Sequence, residues 1–272
     1  MDHRLEVNRI NWDERTPVHA ASDFYDVESF RKGRITLADV ERQEVGDVAG
    51  KTLLHLQCHF GLDTMSWARL GAKATGVDFS GAAINLAREL SEESGLGVRF
   101  INSNLYDLPN LLGEQFDIVF TSYGALTWLP DISGWARVVN NHLKPGGMFY
   151  MAEFHPFAGV FVESEEGVMA PTHSYFHHQQ FLAGSEPSYA GREVIKSPTY
   201  QWQHSLGEII CALIDAGLRI EFLHEFPFTC YQAFPSMERG KDGWWRLPQH
   251  NDSFPQTFSI RANKPSTGIS LS

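Results

Sequence analysis

Asp78 stands near the end of the run 52–80 (TLLHLQCHFGLDTMSWARLGAKATGVDFS), where an apolar strand, a short loop closing on Gly61, a helix and a second strand follow one another. A carboxylate at the tip of the second strand of a βαβ unit can accept from two neighbouring hydroxyls, the usual grip on a nucleoside ribose. The segment therefore points to an adenosine-bearing cofactor, with a βαβ layer that binds nothing as the competing reading. The loop narrows the choice. QCHFGL lacks the G-x-G-x-x-G that sets a pyrophosphate on a helix N-terminus, which disfavours a nicotinamide or flavin oxidoreductase. His173, His177 and His178 form a second cluster, but adjacent residues on regular structure point apart and no carboxylate is spaced to complete a set, so no metal is expected.

The elements that must position these groups alternate from Lys51 to about Glu153. Strands are expected at 52–56, 73–77, 98–101, 116–121 and 148–153, with helices at 63–70, 81–94 and 132–143 between them. This order implies a parallel, doubly wound sheet. The pattern stops after Phe154 for some 45 residues. A helix at 206–216 and strands at 218–225 and 257–262 follow, the strands separated by a long aromatic loop. The expected organisation is an N-terminal helical cap (1–50), one α/β domain (51–265) with an aromatic-rich insertion at about 155–203, and a flexible tail (266–272).

Composition sets the outer bounds. The chain has 272 residues, 43% of them hydrophobic, enough for one large domain. Its formal net charge of −11 argues against nucleic acid as a partner. Cys58, Cys211 and Cys230 are far apart and indicate neither a disulfide frame nor a zinc site. No run approaches the ~18 apolar residues of a membrane span and the N-terminus lacks an apolar leader core, so a cytoplasmic protein is expected.

Taken together, these residues resemble the class I S-adenosylmethionine-dependent methyltransferases over 53–262. LLHLQCHFGLD occupies the place of that family's first motif, Asp78 in GVDFS that of its ribose-binding acid, and Asn104 in FINSNLYDLP that of the residue meeting the adenine amino group. FDIVFTSYGAL (116–126) and LKPGGMFYMAEFHP (143–156) resemble the fourth- and fifth-strand motifs. The first loop departs from the family's glycine-rich form: His55, Gln57 and His59 replace the acidic residue and two glycines, and only Gly61 is kept. In its HLQCHFGLD the chain most resembles a bacterial small-molecule branch of that family. With their backbone close to the ligand, Gln57 and His59 must either turn their side chains away or use them on the methionine part.

The resemblance implies a Rossmann-like, seven-stranded, mostly parallel sheet with an antiparallel last strand and helices on both faces. It implies S-adenosylmethionine as cofactor and methyl transfer to an oxygen, nitrogen or carbon of a small, largely apolar metabolite. A protein that binds the cofactor without transferring methyl is the alternative, kept open by the altered loop. The donor site would draw on Leu56, Gln57, Cys58 and Gly61, then Asp78, Phe79 and Ser80, then Asn104, Leu105 and Tyr106, with Ser122 and Tyr123 by the methionine part. Tyr25, from the cap, would close over the sulfonium by cation–π contact or simply pack there. His155, just past strand five, is the candidate base, competing with a role in satisfying backbone groups, while Glu153 reads as structural. Trp128, Tyr200, Trp202 and His204 are candidates for the acceptor side. His204 also precedes Ser205, which with Glu208 reads as a capping box. A homodimer is possible.

Overall fold

The computed structural model describes residues 2–266 apart from 185, 192 and 252. The expected flexible tail therefore lies, past residue 266, outside the described residues. Seven strands form the main sheet: β1 (Thr52–Leu56), β2 (Lys73–Asp78), β3 (Arg99–Asn102), β4 (Phe116–Thr121), β5 (Leu143–Phe154), β6 (Arg219–Phe226) and β7 (Thr257–Asn263), in the order β6-β7-β5-β4-β1-β2-β3. The first five are parallel, and β7 runs antiparallel to β5 and β6. This is the architecture the resemblance implied. One boundary differs. The expected helix end and fifth strand merge into a single twelve-residue β5, because Leu143 already pairs with Phe116 before the Lys144–Gly147 turn segment ends.

Alternation along the strands sets the two layers. Leu54 and Leu56 of β1 join a core with Trp135, Phe149, Ile209 and Leu213, whereas Leu53 joins Trp67, Phe120 and Tyr150 on the other face. Helix α6 (Ile132–His142) and helix α7 (Leu206–Asp215) cover the first face, after α1 (His3–Ala20), α2 (Val27–Arg31), α3 (Asp39–Val45), α4 (Leu62–Arg69) and α5 (Gly81–Glu93) earlier in the chain. Ser205 caps α7 and Glu208 returns the bond to the Ser205 N–H, the box read from the sequence.

The segment after β5 is more regular than its sequence suggests. Short antiparallel pairs join 161–163 to 169–171 and 178–182 to 199–203, and a small three-stranded sheet fills the loop between β6 and β7. The cap and the insertion hold each other. Asn8 exchanges two hydrogen bonds with the Tyr200 backbone, both 2.8 Å, Asn11 donates to the Ser197 carbonyl, and Glu14 accepts the N–H groups of Lys196 and Ser197. Three polar side chains at helical spacing thus act as the partner of a strand edge.

Candidate functional site

The carboxylate of Asp78 stands where β2 ends. Its Oδ2 accepts the backbone N–H of His59 at 2.8 Å and its Oδ1 that of Ser80 at 2.9 Å. Burial pushes its pKa up to about 6, against the pull of those donors. Each oxygen keeps a further lone pair, so two ligand hydroxyls can still be accepted.

The loop that meets Asp78 bends without the family's glycines. Gln57 and His59 take left-handed backbone, φ 57° and 51°, which costs about 1–2 kcal/mol per residue. Contacts from elsewhere hold them there. Gln57 Nε2 donates to the Ala125 carbonyl at 2.8 Å; His59 Nε2 lies 3.0 Å from His19 Nδ1, and His19 Nε2 lies 2.8 Å from the Ser188 hydroxyl. Burial keeps both imidazoles neutral, His19 with a pKa near 3. The two side chains therefore point to the post-β4 loop and to the cap. Gly61 is required for another reason: at φ 76°, an added Cβ would stand 2.5 Å from the Phe100 ring. Glycine at this position serves the packing of loop on strand.

A cavity of about 1190 Å³ opens beside these groups, beyond the ~300–1,000 Å³ usual for one small-molecule pocket. It suits two molecules side by side. At the β1–β2 end its wall contains Gln57, Cys58, Gly61, Asp78 and Phe79, joined by Asn104, Leu105 and Tyr106 after β3. Asn104 Oδ1 accepts the Tyr106 N–H at 2.9 Å, which fixes the side chain against the wall. Ser122 and Tyr123 border the middle, where the Ser122 hydroxyl lies 3.2 Å from His55 Nε2 and 3.5 Å from Asp63 Oδ2. Tyr25, Trp128, Trp202 and His204 also face the cavity, and Tyr25 packs on His19, His59 and Phe60.

Three of the expected site residues are not in this wall. Leu56 points into the core under α6 and α7. Ser80 caps α5 through Ala83 and donates to Asp13 of the cap at 2.7 Å. Tyr200 meets Phe181 at a tilt, stacks on Trp202 and offers the cap its backbone. In each case the side chain is engaged elsewhere.

His155 lines the cavity, yet both ring nitrogens are committed. Nδ1 accepts the Phe157 N–H at 3.1 Å, and Nε2 lies 2.9 Å from Glu225 of β6. Because Nδ1 spends its lone pair on the Phe157 N–H, Nε2 carries the ring proton, within ion-pair distance of Glu225 though not aligned as a hydrogen bond, and no lone pair is left for an acceptor. This geometry matches the backbone-satisfying role and gives none to a base. His204 is similarly held, Nε2 donating to the Leu129 carbonyl at 2.7 Å. Glu153 is structural in a specific way: its carboxylate accepts the N–H groups of Gly124, Ala125, Leu126 and Phe154, and so shapes the loop after β4. His177 packs near His204, and no three His, Cys, Asp or Glu side chains among the described residues are placed to share a metal ion. No helix among them is long and apolar enough to cross a membrane.

Sequence reasoning missed Trp12, Glu41 and Asp63. Trp12 meets Trp128 and His59 edge-on at 5.2 and 5.0 Å, and all three residues line the cavity.

Residues 54–149 match the family model of a methyltransferase domain. Among curated proteins, the chain is 33% identical over 109 residues to a ubiquinone biosynthesis O-methyltransferase of Pseudomonas syringae, covering 40% of this chain and 47% of that protein. It is 27% identical over 149 residues to the protein of the same name from Serratia proteamaculans, covering 53% and 61%. The alignments thus span less than two thirds of those relatives. Among solved structures, an S-adenosylmethionine-dependent methyltransferase from Mesorhizobium loti superposes with a TM-score of 0.60 at 21% identity, over 82% of this chain and 95% of that one. The shared fold extends well beyond the matched domain.

Proposed function

From a chain whose residues 54–149 match the model of a methyltransferase domain, we propose that it transfers a methyl group from S-adenosylmethionine to an oxygen, nitrogen or carbon of a small molecule. The observation that carries this reading is the Asp78 carboxylate, set by two backbone N–H groups at the mouth of a cavity large enough for donor and acceptor together. When bound, S-adenosylmethionine supplies a methyl group activated by its sulfonium.

The protein's part is then to bind, align and exclude water. Asp78 accepts the two ribose hydroxyls. Phe79 packs on the adenine, whose edge is read by Asn104 and Leu105 beside Tyr106. The backbone at Gln57 and Cys58, with Ser122 and Tyr123, borders the methionine part. Tyr25 and Trp12 close the site from the cap, and Trp128, Trp202 and His204 bound the acceptor side. No observation favours binding without transfer. A role without nucleic acid rests on the acidic composition, and residence in the cytoplasm on the lack of a long apolar run in the sequence.

The test is incubation of the protein with methyl-labelled S-adenosylmethionine and a metabolite extract, with S-adenosylhomocysteine followed in parallel. Label in a small-molecule product supports the reading; donor binding with neither labelled product nor S-adenosylhomocysteine refutes it.

A further inference from the structure

Glu41, at the start of α3, is 1% exposed yet borders the cavity. One carboxylate oxygen accepts the Ala38 N–H at 2.6 Å, and the other has no partner. Asp63 of α4 lines the same wall. Its oxygens meet only the hydroxyls of Thr36 and Ser122, at 2.5 and 3.5 Å. Among the described residues neither carboxylate forms an ion pair. Arg34 on this wall, whose charge reaches Asp63, is turned to the Tyr25 carbonyl at 2.6 Å and lies 3.8 Å from Asp26, and Arg42, whose charge reaches Glu41, is paired with Asp39. Arg239, across the cavity, donates to the Gly243 carbonyl. Burial, then the charge of Asp63, pushes the Glu41 carboxyl up. Tyr25, Tyr123 and Cys230 complete the surroundings, none of them cationic.

A buried carboxylate and a half-buried one, neither in an ion pair among the described residues and one with an unused oxygen on a cavity, form a site with room for a cation. Aromatic rings beside them favour the same kind of ligand. Building on the methyl-transfer reading, we propose that the acceptor is a primary or secondary amine whose ammonium group is held by Glu41 and Asp63 beside Tyr25 and Tyr123. Glu41 then takes one proton from the ammonium. The N–H bond breaks as an O–H bond forms on the carboxylate, leaving a neutral amine with a free lone pair and a neutral Glu41. The aromatic walls farther along, Phe154 and Tyr231 among them, take the apolar body of the amine.

The experiment is calorimetric titration of protein saturated with S-adenosylhomocysteine, using benzylamine, 2-phenylethylamine and cyclohexylamine, each against the alcohol of the same shape. The amines should bind at least about ten-fold more tightly than their alcohols. Glu41→Gln keeps an acceptor for the Ala38 N–H and should remove that preference while leaving S-adenosylhomocysteine affinity within about two-fold. Asp63→Asn serves as the second variant should Glu41→Gln fail to fold. No amine preference in the intact protein overturns the proposal and leaves methyl transfer standing. An equal loss of S-adenosylhomocysteine affinity in the variant also overturns it, because the carboxylates would then serve the donor's own ammonium. Absence of S-adenosylhomocysteine binding in the intact protein sinks both readings.

Discussion

The backbone N–H of His59 donates to Oδ2 of Asp78 at 2.8 Å, tying the loop after β1 to the acid at the end of β2. The loop that departs most from the glycine-rich pattern is thus fastened to the residue that keeps it best. Replacing Asp78 by Ala should weaken S-adenosylhomocysteine binding by about 1.5–3 kcal/mol, the range for hydrogen bonds to a charged group. Calorimetry reads this directly, and an unchanged affinity would remove Asp78 from the donor site.

The pKa of Asp78 has a consequence for pH. Folding raises it from 3.8 to about 6. The native state therefore holds more protons than the unfolded chain between those values, and Asp78 contributes a loss of stability as pH rises through that window. Ribose hydroxyls need the ionised form as acceptor. Donor affinity should accordingly fall as pH drops from about 8 to about 5, with its midpoint near 6 in the free protein. A flat affinity profile across that range contradicts the assignment.

Glu153 accepts four backbone N–H groups, and Ala in its place would leave them unpaired in a buried loop. Glu153→Ala should cost about 2–4 kcal/mol of stability. Urea denaturation measures the change. A variant as stable as the parent would mean that water or another side chain replaces the carboxylate.

Asn8 joins the cap to the insertion through both polar atoms of its amide. Asn8→Ala should cost about 1–2 kcal/mol and speed hydrogen exchange at the Tyr200 amide more than at the strands of the main sheet. Unaltered exchange at Tyr200 would show that the clamp is redundant with Asn11 and Glu14.

Gly61→Ala meets the Phe100 ring and a positive φ together. A loss of about 1–3 kcal/mol is expected, with partial recovery in the double variant carrying Phe100→Leu. If the second change recovers nothing, the backbone conformation rather than the ring contact sets the requirement.

The sequence by itself determined the order of the main-sheet strands and of the helices between them, the Ser205–Glu208 cap and the place of Asp78 at a strand tip. These are signals of short range: alternation of apolar residues, turn residues at element ends, and bonds between residues a few positions apart. Even β5, whose start was misplaced, was missed only at its boundary, where Gly146 and Gly147 sit within a strand. What each site side chain faces was decided otherwise. Nothing near His155 in sequence announces Glu225, and nothing near Glu41 announces Asp63. Asn8 and Asn11 are polar, yet they are 0% and 1% exposed because a segment far along the chain needs their hydrogen bonds. A buried polar group must find a partner wherever the fold brings one. Its role is therefore set by segments distant in the chain, and only the tertiary structure specifies which they are.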